Sequence, residues 1–289
     1  MSGRFRGSLA AGMLLGLSWA VLSPLPARAA DSKAVSSVPT GTLVRLNDFG
    51  SDDIAYFSIP TREPLGGIVL IHDAWGMDNV VSLLADRLAN EGYIVIAPDL
   101  FNGQTTTDPV RASDYRRALS PPSAQKTIVS SIRFLRESPR FRAIHISIIG
   151  WGMGSALALE AAANDPGIEG IAVIGGPLPF AAKTLAKIDA PVLAAFDSAD
   201  PNLSPDDRQQ FAEFMGREKK NVEIHDLPAG SLLSGTFFPA PAWSWLLDFL
   251  KRAAATPRPT RVHELLDKMN PFHPDGERTE EAKPADSNP

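Results

Sequence analysis

The sequence contains no cysteine in its 289 residues, which excludes disulfide bonds, zinc–thiolate sites and a cysteine nucleophile. Its five histidines are isolated and form no H-x-x-x-H pair, so no metal site is expected; they are His72, His145, His225, His263 and His273. Basic residues are in the minority, with 28 Lys and Arg against 33 Asp and Glu and a formal net charge of −5. Because nucleic-acid binding needs a basic surface, no nucleic-acid partner is expected.

The first 29 residues have the pattern of an export signal. Arg4 and Arg6 form a positive start, residues 10–22 are an apolar run, and Ala27 and Ala29 offer a small-x-small cleavage site. The run is shorter than the ~20 residues of a membrane-spanning helix, although an uncleaved anchor remains the alternative. We therefore expect a periplasmic or secreted mature chain, with no membrane association after cleavage and a net charge of −8.

The C-terminal residues 256–289 differ in composition from the rest of the chain. Six prolines recur there, and the final stretch GERTEEAKPADSNP has no apolar side chain larger than proline. Such a stretch cannot bury enough surface to offset its ordering entropy, so disorder is expected. Residues 261–270 nevertheless predict one short helix whose apolar face is Val262, Leu265, Leu266 and Met269. This helix could dock on the domain surface or bind a protein partner, and both roles stay open.

The remaining residues, 30–255, alternate strand and helix patterns. Short apolar runs predict strands at 54–59, 68–71, 94–97, 144–149, 171–174, 192–196 and 222–225. Most are continuously apolar, as in parallel strands covered on both faces. Helical periodicity fills the intervals between them. The sequence therefore predicts one α/β domain with three layers and a mostly parallel central sheet, whose site lies at the carboxyl ends of the strands.

One predicted strand end has the frame of a nucleophile elbow. The strand ending at Ile149 continues as Gly150-Trp151-Gly152-Met153-Gly154 into an alanine-rich helix. A strand, G-x-x-x-G, helix turn raises its central side chain above the sheet, and in an active hydrolase that residue is serine or cysteine. Here it is Gly152, which has no side chain. The glycines do not complete G-x-G-x-x-G, since position 155 is Ser155, and no cofactor is expected.

A longer segment carries a family resemblance. Residues 66–101, GGIVLIHDAWGMDNVVSLLADRLANEGYIVIAPDLF, are similar to a run of the dienelactone hydrolase family. That run is a strand, an acidic residue, an aromatic-Gly turn, a helix, Gly-Tyr, a strand and Pro-Asp-Leu. The resemblance extends over about residues 43–251 and implies the α/β-hydrolase fold. The family hydrolyses lactones and carboxylic esters with a cysteine or serine nucleophile, a histidine base and an aspartate.

The resemblance transfers only one of these three catalytic positions intact. It places Gly152 at the nucleophile position, Asp200 at the aspartate position and Ser231 at the histidine position. The loop sequence PAGSLLSG stands where the family has Pro-Gly-Ala-Gly-His-Gly-Phe. The loss does not depend on the register of that loop, because no histidine occurs from 226 to 261. The acidic residue after the second strand, usually glutamate in the family, is Asp73.

The backbone groups that would bind a ligand are expected to be retained, unlike the catalytic side chains. The oxyanion hole of this fold uses backbone N–H groups, which the resemblance assigns to Met153 and Ala74. The N-terminus of the helix after the elbow also favours an anion. We therefore expect a pocket for a small acyl or carboxylate ligand, lined by Asp73, Ala74, Trp75, Trp151 and Met153.

The missing nucleophile and the missing histidine base determine which function the sequence predicts. A triad needs a base to take the proton of the nucleophile and an acid to orient the base, so the family's mechanism cannot run here. The sequence predicts an exported, hydrolytically inactive protein that binds a small acyl or carboxylate ligand, or a protein partner through residues 256–289. Two alternatives remain. One is an ester or lactone hydrolase in which Asp73 or His72 activates water, and the other is an envelope scaffold.

Overall fold

The computed structural model describes residues 38–138, 145–178, 182–231 and 240–255. The predicted signal peptide, 1–29, and the predicted tail, 256–289, lie outside the described residues. Eight strands form one sheet: β1 (Thr42–Arg45), β2 (Ile54–Ser58), β3 (Gly66–Ile71), β4 (Tyr93–Pro98), β5 (Ile146–Trp151), β6 (Gly170–Ile174), β7 (Val192–Asp197) and β8 (Val222–Leu227). Their order is β1-β2-β4-β3-β5-β6-β7-β8.

Within the described residues, six helices and one 3-10 turn (Asn47–Phe49) lie between strands, and a seventh helix follows β8. The helices are α1 (Asn79–Asn90), α2 (Pro109–Ala118), α3 (Pro121–Glu137), α4 (Met153–Asn164), α5 (Ala182–Ala186), α6 (Pro205–Arg217) and α7 (Ala240–Ala255). One buried apolar cluster joins the sheet to α3, α4, α5 and α6, and a second joins its other face to α1 and α7. The predicted three-layer α/β fold is confirmed.

The pairing explains the continuous apolar runs of the sequence. From β4 through β3 and β5 to β8 all neighbours pair in parallel, whereas β1 and β2 pair antiparallel at one edge. Every residue of β3, β4, β5, β6 and β7 is buried, because helices cover both faces. The carboxyl ends of β3, β5, β6 and β7 therefore meet at one edge of the sheet, where the elbow lies.

Capping fixes the helices that begin at this edge. The Asp78 side chain accepts hydrogen bonds from the backbone N–H groups of Val80 and Val81 and starts α1. Ser204 and Asp207 form a capping box at the start of α6. Within the described ranges, no helix is long and apolar enough to cross a membrane.

Candidate functional site

The elbow between β5 and α4 keeps its backbone turn without a side chain at its centre. Gly152 has φ 54° and ψ −118°, a conformation that costs an ordinary residue free energy. Its N–H donates to the carbonyl oxygen of Ile174 (2.9 Å), and its carbonyl oxygen accepts from the N–H of Ser155 (3.0 Å). The turn is therefore held from β6 on one side and by the first turn of α4 on the other.

Close backbone packing explains the outer glycines of the motif. A Cβ on Gly150 would lie 2.3 Å from the carbonyl oxygen of Gly154, and one on Gly154 would lie 2.6 Å from the carbonyl oxygen of Ile71. Ser155 is fully buried, and its hydroxyl donates to the carbonyl oxygens of Gly150 (3.1 Å) and Gly175 (2.8 Å). Ser155 thus ties the elbow together and is not presented as a nucleophile.

The side chain of Asp73 occupies the space that a nucleophile would need. A Cβ on Gly152 would lie 2.9 Å from Cγ of Asp73 and 3.1 Å from its Oδ2. Oδ1 of the same carboxylate accepts a hydrogen bond from the N–H of Ala74, one of the two groups expected in an oxyanion hole. In this structure Asp73 therefore fills the centre of the elbow. It also accepts a hydrogen bond from one of the two N–H groups expected in the oxyanion hole.

The other expected donor is the backbone N–H of Met153, the first residue of α4. Gly152 is the N-cap of this helix and supplies no side-chain hydrogen bond to it. The side chain of Met153 is buried in the apolar cluster under α3 and α4. What Met153 can offer a ligand is thus its backbone, together with the partial positive charge of the helix N-terminus.

Asp200 lies beside the elbow but is engaged by backbone groups. Its Oδ2 accepts from the N–H of Gly176 (2.6 Å), and its Oδ1 accepts from the N–H of Asn202 (2.8 Å). Gly176 in turn packs on the elbow, since a Cβ there would lie 1.9 Å from the carbonyl oxygen of Gly152. The carboxylate therefore holds the end of β6 against Gly152.

The loop after β8 contains Ser231 and is tied to the end of β7. The N–H of Ser231 donates to the carbonyl oxygen of Pro228 (3.0 Å), which closes a turn. Asp197, a buried residue at the end of β7, accepts from the N–H groups of Gly230 (2.9 Å) and Ala199 (2.8 Å). Sequence reasoning missed Asp197, although an acidic residue ending a buried strand could have signalled it. Residues 232–239 of this loop lie outside the described ranges.

The fold agrees with comparisons to known proteins. Residues 54–230, more than half of the chain, match the dienelactone hydrolase family. The chain belongs to this family. It is 23% identical over 170 residues to Protein usf of Aquifex pyrophilus, with 55% of this chain and 71% of that protein covered. It is 27% identical over 177 residues to Hydrolase pyvD of Aspergillus violaceofuscus, with 58% and 69% covered.

Solved structures show the same fold. A dienelactone hydrolase-like promiscuous phosphotriesterase from metagenomic libraries superposes with a TM-score of 0.63 at 19% identity, covering 74% of this chain and 98% of that one. Dienelactone hydrolase from Anabaena variabilis superposes with a TM-score of 0.55 at 17% identity, covering 74% and 94%. At these identities the superpositions establish the architecture, and the chemistry has to be argued from the residues of this chain.

The two tryptophans expected to line the pocket of this dienelactone hydrolase family member differ in their surroundings. Trp151 ends β5 and is buried in the apolar cluster that also contains residues of α1 and α7. Trp75 is half-buried, and its carbonyl oxygen accepts from the N–H of Thr106 (3.1 Å), which joins the loop after β3 to the loop before α2. Trp75 is thus the tryptophan that keeps exposed surface near Asp73.

His72 is fully buried, with both ring nitrogens engaged. Nδ1 lies 2.7 Å from the carbonyl oxygen of Asp73, so it carries the proton and donates. Nε2 accepts from the N–H of Leu100 (3.1 Å). Burial lowers the pKa of His72 below its ordinary value, which keeps the ring neutral. His72 therefore joins the ends of β3 and β4, and is not available to activate water. Among the described residues, no three acidic or histidine side chains cluster as metal ligands.

Burial of a neutral His72 predicts a stability that depends on pH. Its native pKa is below 6.5, so the unfolded chain binds the proton more readily as the pH falls through and below 6.5. We expect the free energy of unfolding to decrease with falling pH, with a contribution from His72 of at most about 1.4 kcal/mol per pH unit. Urea denaturation between pH 7.5 and pH 4.5 measures it. The His72→Asn variant does not titrate and should have a shallower slope, and equal slopes would contradict the assignment.

Proposed function

We propose that this protein is an exported, non-hydrolytic member of the dienelactone hydrolase family that binds a small molecule through an acyl carbonyl group. The observation that carries the proposal is the elbow itself, where Gly152 has no nucleophile and the Asp73 carboxylate lies in the space such a side chain would use. Export rests on the sequence pattern of residues 1–29.

The loop after β8 and the surroundings of His72 and Asp200 support the same proposal. No histidine occurs in the sequence from 226 to 261, where the family has its base. His72, the neighbour of Asp73 in the chain, has both nitrogens engaged and a lowered pKa. Asp200 accepts hydrogen bonds from two backbone N–H groups instead of orienting an imidazole. Each of the three roles of a triad is thus either missing or converted into a structural one.

The charges around the elbow determine which kind of ligand would bind there. The N–H of Met153 and the N-terminus of α4 attract an oxygen acceptor. The Asp73 carboxylate beside them disfavours a second anion, because like charges in a partly buried site repel. A neutral ester, amide or lactone carbonyl therefore suits the site better than a free carboxylate, and the half-buried Trp75, two residues after Asp73, could add apolar surface.

The test is an assay of the mature protein, residues 30–289, on p-nitrophenyl acetate and a simple lactone. We expect no hydrolysis above the uncatalysed rate, together with saturable binding of the lactone in calorimetry and weaker binding of the corresponding hydroxycarboxylate. The matched control is the Gly152→Ser, Ser231→His double variant, made with and without Asp73→Ala because Asp73 occupies the space of the serine side chain. Gained activity would locate the histidine position. Turnover by the unaltered protein at rates usual for enzymes would refute the proposal.

The position of Asp73 also supports a second candidate, a hydrolase in which this carboxylate activates water. A general base must lie within hydrogen-bond reach of the nucleophile, and Asp73 lies where the nucleophile of the family would be. In that case the Asp73→Asn variant, which keeps the size of the side chain, should lose the activity. Activity that survives Asp73→Asn would eliminate this candidate.

A further inference from the structure

β8 forms one edge of the sheet, and β1 forms the other. All residues of the central strands are buried, whereas Leu227 is the only buried residue of β8. Such an edge presents backbone N–H and C=O groups to which another strand can bind. β8 has six residues and β1 has four, so β8 offers the longer surface for strand pairing.

The backbone groups of β8 alternate between β7 and the outside of the sheet. The N–H of Val192 on β7 donates to the carbonyl oxygen of Asn221 (2.9 Å), and Val192 faces Val222. A residue in a parallel pair bonds to the residues before and after the one it faces, so the odd-numbered residues of β8 bond to β7. The N–H and C=O groups of Val222, Ile224 and Asp226 therefore point outward, and within the described ranges they have no hydrogen-bond partner.

This alternation limits how a second β8 strand can pair with the first. Residues at a hydrogen-bonded position of an antiparallel pair exchange both of their bonds. A two-fold axis at Ile224 pairs this residue with its own copy, and pairs Val222 with Asp226 of the second copy. Every outward group of β8 then has a partner. An axis at Glu223 would use fewer of these groups and would place two carboxylates against each other.

The side chains on the α7 face of β8 are complementary in the same register. Glu223 and His225 share this face, because they are two residues apart. The axis at Ile224 places Glu223 of each chain opposite His225 of the other, with Cα atoms about 4.5 Å apart, and a carboxylate facing an imidazole is a favourable cross-strand pair.

The imidazole of His225 is not committed to another acid. Its ring stacks on Trp245, with 4.3 Å between the ring centroids. Nε2 has no hydrogen-bond partner among the described residues, and the carboxylate of Glu223 in the same chain lies 3.7 Å from it. That carboxylate is held instead by Arg252 on α7 (2.5 Å). A carboxylate from a second copy therefore does not have to displace one that is already bound to His225.

The opposite face of β8 suits the same contact. Val222 and Ile224 are half-buried and pack against the apolar cluster under α6. Asp226 forms an ion pair with Arg208 on α6, so it brings no uncompensated charge to the seam. We propose that β8 is the contact of a two-fold dimer, in which the β8 strands of two copies pair antiparallel about Ile224 and join the two sheets into one.

This inference goes beyond the proposed ligand binding and does not depend on it. The elbow lies at the end of β5, and two strands, β6 and β7, separate β5 from β8. Loss of the dimer would change the molecular mass in solution, whereas failure of the proposed function would appear as turnover or as missing ligand binding.

The test is sedimentation equilibrium of the mature protein, residues 30–289. At about 1–100 µM chain we expect a monomer–dimer equilibrium. Ile224→Asp should weaken the dimer at least about tenfold, because two carboxylates then meet on the axis. The control is Leu43→Asp on β1, at a position that is 58% exposed, and it should dimerise like the parent. Circular dichroism and the urea midpoint check that both variants are folded.

The absence of cysteine allows a second test that reports the register. Glu223→Cys and His225→Cys are prepared as separate proteins, mixed and mildly oxidised. The mixture should form disulfide-linked dimers at least about fivefold faster than either protein alone, because only this pair brings the two Cα atoms to about 4.5 Å, within disulfide range.

Three outcomes would overturn the proposal. One is a parent protein that stays monomeric over the whole concentration range. Another is a folded Ile224→Asp variant that dimerises like the parent, which would place the contact elsewhere on the surface. The third is a cysteine mixture that cross-links no faster than its separate components, which would exclude the axis at Ile224.

Discussion

Gly176→Ala is expected to lower the free energy of unfolding by roughly 2–5 kcal/mol, although it adds one methyl group. Gly176 has φ +79°, and holding an L-residue there costs about 1–2 kcal/mol. The new Cβ would also lie 1.9 Å from the carbonyl oxygen of Gly152 and 2.2 Å from its carbonyl carbon. Overpacking of this kind costs about 1–3 kcal/mol or more, because backbone rather than a flexible side chain has to move.

Gly103→Ala is the matched control, since Gly103 has φ +80° and no heavy atom within 4 Å of a built Cβ. It should cost only the conformational part, about 1–2 kcal/mol. Urea denaturation of both variants gives the difference between them, which isolates the close approach of β6 to the elbow. If the two variants lost equal stability, the elbow would be free to move away from Gly176, and Asp200 would not be holding it in place.

The fold of this protein could be predicted from its sequence because its central strands are buried on both faces. The runs that became β3, β4, β5, β6 and β7 are continuously apolar, and only a parallel sheet between two helix layers satisfies them. β1, α2 and α5 were not predicted. The residues of β1 are exposed or only partly buried, while α2 and α5 each bury one residue, so none of them has a periodic apolar pattern.

The site was only partly predictable, and the reason is physical. The glycine spacing predicted an elbow at Gly152, and the family resemblance placed the aspartate position at Asp200. The direction in which a loop side chain points depends on neighbouring strands that are distant in sequence. The pattern therefore could not show that Asp73 turns toward Gly152, or that His72 turns into the core to meet the N–H of Leu100.

Carboxylates at this edge of the sheet share one role. Asp99 accepts from the N–H groups of Phe101 (3.0 Å) and Gly103, as Asp197 and Asp200 do from N–H groups of their own loops. Each charge is thereby stabilised by backbone donors, and each loop is fixed by a carboxylate. An edge that serves catalysis in active hydrolases is here held together by its own acidic residues, which agrees with a binding role.

Asp73 and Gly152 should be coupled, because each excludes the other's side chain. Gly152→Ser is expected to lower the free energy of unfolding by roughly 2–6 kcal/mol. Of this, about 1–3 kcal/mol comes from placing serine at φ 54°. A further contribution of about 1–3 kcal/mol comes from overpacking, because the new Cβ would lie 2.9 Å from Cγ of Asp73.

A double-mutant cycle with Asp73→Ala separates these two contributions. The Asp73→Ala variant removes the contacts with Cγ and Oδ2 and keeps the one with Cβ of residue 73 (3.1 Å). In that background Gly152→Ser should cost little more than the conformational part, so the coupling energy is expected to be about 1–3 kcal/mol. Four urea denaturation curves measure it. Additive effects would mean that Asp73 can rotate out of the elbow without cost, which would leave the site open to a ligand in the ground state. Strong coupling would mean instead that a ligand has to displace this carboxylate, and that restoring a serine nucleophile requires a change at Asp73 first.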